Sequence, residues 1–532
     1  MKAQIYEKIK AVLGQDFILE SPKDKALAHF ATPLAFSLAK ELKQNPVQIA
    51  ENLALKFKDE SFFESVEAVK GYVNFKLCGK FLNELASNAL KEPLNFAKEE
   101  NKKESFLLEY VSANPTGPLH IGHARGAIYG DSLARIARHL GFKFDTEYYV
   151  NDAGKQIKLL GLSLLLAIKE QCLKESVEYP EKYYRGEYID ALAKEAFAKF
   201  DKDFFNEANI DELASWAKDR VLEMIQKTLL NAKITIDSYV SEKSFYDKLD
   251  ATLTKLKQNG ATYEKDGKIW LKSSEFGDEK DRVIINEKGE KSYLAADIVY
   301  HYDKMSRGYD RCINIWGADH HGYITRVKAA MSFLGLDSSR LEIILAQMVS
   351  LLQNGKPFKM SKRAGNVILM QDILDEIGSD ALRFIFLSKK CDTHLEFDIE
   401  TLKKQDSSNP VFYINYAHAR ICQVFKKANK SVDEIIKADL SILKDEALNL
   451  AFESLSLNAV LNDAFESRAL QKLSDYLKGL AASFHKFYNE NKVLGSELEN
   501  ALLKLFALVA LSLKTGLFLM GIEAKERMEQ EN

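Results

Sequence analysis

The chain has 532 residues, 46% hydrophobic and 28% charged, with 26 Gly and 9 Pro; the length implies three or four domains, and the composition excludes collagen-like, linker-rich and disordered chains. A net charge of −3 announces no broad nucleic-acid clamp, so any such surface must come from local patches. The five cysteines, at 78, 172, 312, 391 and 422, show no CxxC spacing, which argues against a cysteine zinc site or redox motif and fits a reducing, cytoplasmic compartment.

The N-terminal run MKAQIYEKIKAVLGQ reads as an amphipathic helix, with charges where a signal peptide needs an apolar core. Residues 1–98 mix helical periodicity with strand-like runs such as YVNFKL (72–77), and the charged stretch AKEENKKES (97–105) reads as a linker. FLLEYV (106–111) has the length of a buried strand. After the loop SANPTGPLHIGH comes a helix that carries Leu133, Ile136, Ala137 and Leu140 on one face and ends at Gly141. FDTEYYV (144–150) is the next strand, which makes a βαβ unit and implies a parallel sheet with crossover helices.

Residues 155 to about 240 read as a helical insertion with no obvious site. Strands return at KIWLK (268–272), RVIIN (282–286) and CINIW (312–316), and 353–367 reads as a mobile loop. From Asn409 onward the pattern is helical, with little Gly or Pro. Its most apolar tract, 501–520, is interrupted by Lys504 and Lys514, as in a buried terminal helix rather than a membrane span. The expected architecture is an α/β Rossmann-like domain with a parallel sheet (99–395, insertion 155–240), preceded by an α+β domain (1–98) and followed by an all-α domain (396–532).

Two segments carry chemistry. In the first, Pro115 and Pro118 bracket Thr116-Gly117 and stiffen the loop that ends in His120-Ile121-Gly122-His123. A helix N-terminus at the carboxyl end of a parallel strand favours phosphate, and Gly122 permits close approach. The two imidazoles can donate hydrogen bonds as charge builds on phosphorus. The alternatives are a capped helix with surface histidines, or an HxxH metal pair, for which no third ligand is evident. The second segment puts Lys356, Lys359, Lys362 and Arg363 within eight positions, with Met360, Ser361 and Gly365 among them. Alone, such a run reads as a solvated basic loop; Lys359 and Lys362 could equally converge on one anion.

HIGH followed much later by KMSK resembles the class I aminoacyl-tRNA synthetases. SANPTGPLHIGHARGAIYGDSLARIARHLGF, EYYVNDAGKQI, YLAADIVYH (293–301), WGADHHGY (316–323), KMSKRAGN (359–366), NPVFYINYAHARI (409–421) and the closing GIEAKERM are similar to arginyl-tRNA synthetases, from about residue 100 to the C-terminus. The resemblance implies ATP-dependent ligation of L-arginine to its tRNA through an arginyl-adenylate. His120 and His123 would stabilise the pentavalent phosphorus, and Lys359 and Lys362 the departing pyrophosphate. Pro115, Gly117, Gly122, Met360 and Ser361 would hold ATP, which enters with Mg²⁺. No tightly bound metal or organic cofactor is expected. It further implies that residues 396–532 bind the anticodon region and residues 1–98 the tRNA elbow, that activation depends on bound tRNA, and that the protein is a monomer with no membrane association.

A guanidinium is read best by carboxylates that accept paired hydrogen bonds. The resemblance places arginine at Asn114, Tyr293 and Asp297, with Glu109 and Asp319 beside them. Each has a plainer reading: Glu109 as a carboxylate paired with a nearby cation, Asp297 as a surface helix residue, Tyr293 as core. Asp319-His320-His321 also resembles the DHH triplet of manganese phosphoesterases, whose further aspartate motifs do not occur here in suitable order. Tyr413, Tyr416 and Arg420 could stack on RNA bases while Ile414, Ala417, Ile421 and Val424 are buried, or all could be core. Asp380-Ala381-Leu382-Arg383 reads as structural. The rivals are other class I synthetases, of which the cysteinyl type has zinc ligands missing here; a small nucleotidyltransferase, which leaves the helical tail unexplained; and a non-catalytic tRNA-binding paralogue, expected to have lost a histidine or lysine that this chain keeps.

Overall fold

The computed structural model describes residues 1–22, 28–358 and 368–528. At its centre is a parallel sheet of five strands, in the order Leu341–Ala346, Arg311–Gly317, Ser105–Glu109, Lys143–Val150 and Ser238–Ser241. The chain winds outward in both directions from Ser105–Glu109. The switch point therefore lies between that strand and Arg311–Gly317, where an open α/β sheet leaves a crevice at its carboxyl edge. Leu107, Leu108, Ile313 and Phe144 are fully buried, as a sheet covered on both faces requires.

The helix Ile121–His139 covers one face, with Leu133, Ile136 and Ala137 buried. It stops where Gly141 turns left-handed (φ 79°) and a Cβ would lie 2.6 Å from the Glu99 carbonyl oxygen. The segment 155–240 folds into the helices Lys155–Gln171, Glu187–Lys199 and Ile210–Asn231 before the edge strand. A second sheet pairs Val349–Gln353 with Leu395–Asp398, so the boundary expected at 395/396 runs through a strand of that sheet. Residues 1–98 contribute a three-stranded antiparallel sheet (Phe30–Thr32, Tyr72–Leu77, Phe63–Val69) and helices.

From Pro410–Ala428 to Glu499–Leu519 the chain is a helical bundle. Glu499–Leu519 is long and apolar enough to span a membrane, but 72% of its apolar window is buried inside the protein. The sequence stripe Ile414, Ala417, Ile421 and Val424 is buried as expected. Arg383 lies fully buried, paired with Asp131 and bonded to the carbonyl oxygens of Ala232 and Met520. It thereby joins the parallel-sheet unit to the end of the bundle.

Candidate active site

The strand Ser105–Glu109 ends in an unusual bend. Val111 (φ 68°) and Ser112 (φ 38°) are both left-handed, a conformation uncommon for any side chain and rarer still for β-branched valine. The Ser112 hydroxyl accepts from the Tyr149 amide at 3.1 Å. The turn brings Asn114, Thr116 and Gly117 to a cavity of about 430 Å³, whose wall includes His120 and His123. Pro115 is buried behind it.

The two imidazoles are oriented by the backbone at the helix start. The Gly122 amide donates to His120 Nδ1 at 3.1 Å, and the His120 amide donates to His123 Nδ1 at 3.3 Å. With both Nδ1 atoms accepting, each neutral ring carries its proton on Nε2 and keeps that N–H as a donor. The rings pack 3.7 Å apart. Burial lowers the pKa of His120; burial and then His120 bring His123 down to about 4. Gly122 also has a local reason to be glycine. A Cβ there would sit 3.0 Å from the His120 ring, so the glycine makes room for the imidazole.

The insertion also reaches this cavity, which corrects the reading of 155–240 as having no site. Tyr184, Arg185, Glu187 and Tyr188 line it, and the Tyr188 hydroxyl donates to the Thr116 carbonyl oxygen at 2.8 Å. These residues match no local motif; only the fold returns them to the histidine loop. Lys359, Met360, Ser361 and Lys362 lie outside the described residues. The chain that follows them does pair with the histidine loop: the Ile121 amide donates to Ile368 O at 2.9 Å and the Met370 amide to Leu119 O at 2.8 Å.

The helix Tyr293–Ser306 brings Asp297 near Glu109, the last residue of the strand Ser105–Glu109. Tyr293 is 56% exposed at its first turn, so it is not core. Asp297, one turn on, is no ordinary surface residue. Burial, then the charges of Glu109 and Glu242, push its carboxyl up to about 8, against the pull of Lys304. Glu109 is buried and paired with Lys304 at 2.7 Å. Asp319 stands exposed in a short turn just past the strand Arg311–Gly317. Lys304, His301 and Asn314, all buried around Glu109, went unremarked in the sequence because their partners are on other elements.

Farther away, Arg420 donates to the Tyr416 hydroxyl at 2.7 Å and packs over the rings of Tyr416 and Tyr488. These three residues, with Gln423, Lys427 and Met528, line a cavity of about 260 Å³. Tyr413 instead packs on His485, with centroids 4.7 Å apart. Among the described residues no group of His, Cys, Asp and Glu has metal-binding geometry, and the Asp319-His320-His321 triplet gathers no further ligand.

Comparisons with known proteins cover the whole chain. Residues 85–424 match the family described as tRNA synthetases class I (R), catalytic domain. Residues 414–528 match the DALR anticodon binding domain, and 1–77 the arginyl tRNA synthetase N terminal domain. The arginine–tRNA ligase of Campylobacter lari is 69% identical over 531 residues, covering all of both chains. That of a Campylobacter jejuni strain is 70% identical, over 99% of this chain and 100% of the relative. Among solved structures, an arginyl-tRNA synthetase from Campylobacter jejuni superposes with a TM-score of 0.83 at 70% identity, covering 85% of this chain and 100% of that one. The Thermus thermophilus arginyl-tRNA synthetase shares the fold at 22% identity, with a TM-score of 0.79 over 99% of this chain and 100% of that one.

Proposed function

The chain belongs to the arginyl-tRNA synthetase family, and from that premise we propose that it joins L-arginine to its tRNA in two steps driven by ATP. In the first, an arginine carboxylate oxygen attacks the α-phosphorus of Mg–ATP. The bond to the bridging oxygen breaks and pyrophosphate leaves with the electron pair, giving arginyl-adenylate. In the second, a hydroxyl of the terminal tRNA ribose attacks the activated carbonyl carbon and AMP departs. Both steps need positioning and charge stabilisation more than covalent help.

The observation that carries this reading is the histidine pair, two neutral rings with Nε2–H donors at the mouth of the phosphate-favouring helix Ile121–His139. In this role His120 and His123 stabilise the oxygens of the five-coordinate phosphorus, while Pro115, Gly117 and Gly122 shape the nucleotide loop. Lys359 and Lys362, with Met360 and Ser361, receive the pyrophosphate. Tyr293, Asp297 and Glu109 read the arginine side chain, Asn114 its amino-acid end, and Asp319 the rim. Tyr416 and Arg420, with Tyr413 behind them, offer stacking surfaces to unpaired bases. The enzyme works as a monomer in the cytoplasm, with Mg²⁺ entering on ATP. The test is ATP–pyrophosphate exchange with each amino acid, with and without tRNA. Exchange dependent on arginine supports the proposal; a non-catalytic tRNA-binding paralogue would show none.

A further inference from the structure

Beneath the proposed arginine pocket a polar wire links Glu109 to Asp297 through three residues given no role above, Lys304, Asn314 and His301. Lys304 is fully buried on the helix Tyr293–Ser306. Its ammonium donates to Glu109 Oε2 at 2.7 Å and to Asn314 Oδ1 at 2.6 Å. The Asn314 amide donates to His301 Nε2 at 2.7 Å, and His301 Nδ1–H donates to the Asp297 carbonyl oxygen at 2.7 Å. Each contact fixes the next: Lys304 orients the Asn314 amide, the amide selects the Nδ1–H tautomer of His301, and that N–H holds the backbone of Asp297. Strand register makes the cation necessary. Glu109 lies directly beside Glu147 on one neighbouring strand and Asn314 on the other, and two buried carboxylates side by side repel. Glu147 is satisfied by Arg307 at 2.6 Å and the Tyr300 hydroxyl at 2.8 Å. That leaves Lys304 as the cation on Glu109.

We propose that Lys304 is a positioning residue for arginine recognition, fixing Glu109 by direct contact and tying it through Asn314 and His301 to Asp297, so that both carboxylates meet the guanidinium as one fixed pair. The inference rests on the arginine pocket assigned above. The groups that face Glu109 are Lys304, His301, Asp297 and Tyr300 on the helix, Glu147 and Tyr149 on the adjacent strand, and Ser112 at its own strand end. Glu242 adds a further negative charge at Asp297 and Tyr149. Burial pushes the Glu109 carboxyl up, and Lys304 brings it back below the ordinary range. Without Lys304, burial would push the Glu109 carboxyl up with its strongest opposing charge gone.

The test is steady-state ATP–pyrophosphate exchange, with tRNA present, on the full chain carrying Lys304→Met, Glu109→Gln, or both. Lys304→Met should raise the KM for arginine by about tenfold or more, the scale of one charged hydrogen bond, and leave the KM for ATP unchanged. The double variant should match Glu109→Gln in arginine KM, a comparison that holds even if Lys304→Met alone does not fold. A further rise in the double variant overturns the proposal. So does unchanged arginine saturation in Lys304→Met when Glu109→Gln responds. If Glu109→Gln is itself silent, the pocket assignment falls and takes this inference with it.

Discussion

At the scale of single residues the account turns on protonation. His123 carries no positive charge at neutral pH because burial, then His120, hold its pKa at about 4. In its proposed role His123 donates to the transition state, so replacing it with Ala should slow adenylate formation by about 10²–10³-fold. The thermal midpoint should fall only modestly, since a lost capping contact costs about 1 kcal/mol. Stopped-flow or exchange kinetics beside a melting curve checks both, and a normal rate removes the residue from catalysis. Asp297 has the opposite shift, up to about 8. A guanidinium beside it favours the ionised form, so arginine binding near pH 7 should release protons. Calorimetry in buffers of different ionisation enthalpy reads that release; Asp297→Asn should abolish it and raise arginine KM while sparing ATP. The histidine pair was legible in the sequence because its neighbours are local: two prolines, a glycine and a strand end. Lys304 was not, because its acid partner stands 195 residues away.

At the scale of elements, one helix and one loop do most of the positioning. Tyr293, Asp297 and His301 follow at four-residue spacing on Tyr293–Ser306, so one face of that helix lines the crevice and continues inward to Lys304. The spacing was visible in YLAADIVYH; the depth of the helix against the sheet was not. The opposite case is Arg383, whose literal motif was read as structural. Buried against Asp131, with Ser132, Ala232 and Met520 around it, it touches both the first crossover helix and the residue that follows the last helix. Arg383→Met leaves Asp131 with Arg135 as its remaining cation, at 2.7 Å, but removes the donors to the Ala232 and Met520 carbonyl oxygens, and should destabilise the fold by about 1–3 kcal/mol. Chemical denaturation reads the loss, and arginine and ATP KM values should be unchanged at temperatures where the variant remains folded. The insertion shows the limit of motif reading. Tyr188 reaches Thr116 across 72 residues, and nothing in its local pattern announces that contact.

At the scale of the whole molecule, the N-terminal unit is clasped to the helical bundle. His29 stacks on Phe452 with centroids 4.1 Å apart, Lys76 pairs with Asp445, and buried Lys504 donates to Asn83, Ser87 and the Ala438 carbonyl. Length suggested three or four units and periodicity suggested their classes, but contacts between residues hundreds of positions apart leave no trace in either. The clasp has a pH signature. Burial lowers the His29 pKa to about 4, below its value of about 6.5 in an unfolded chain. The folded state therefore binds fewer protons than the unfolded one in that window. Its contribution to stability is complete above pH 6.5 and is lost as pH falls toward 4. The melting temperature should decline over that range, and His29→Gln should make the decline shallower; an unchanged slope would show that His29 is not its source.

The central claim is that the histidine loop and the acidic helix together make an enzyme that charges tRNA with arginine. The most direct measurement is aminoacylation of bulk tRNA by the purified chain, with ATP and each radiolabelled amino acid in turn. The account predicts acid-precipitable label with arginine alone, falling to near background in His120→Ala/His123→Ala. Label transferred from a different amino acid, or full charging by the double variant, would contradict it.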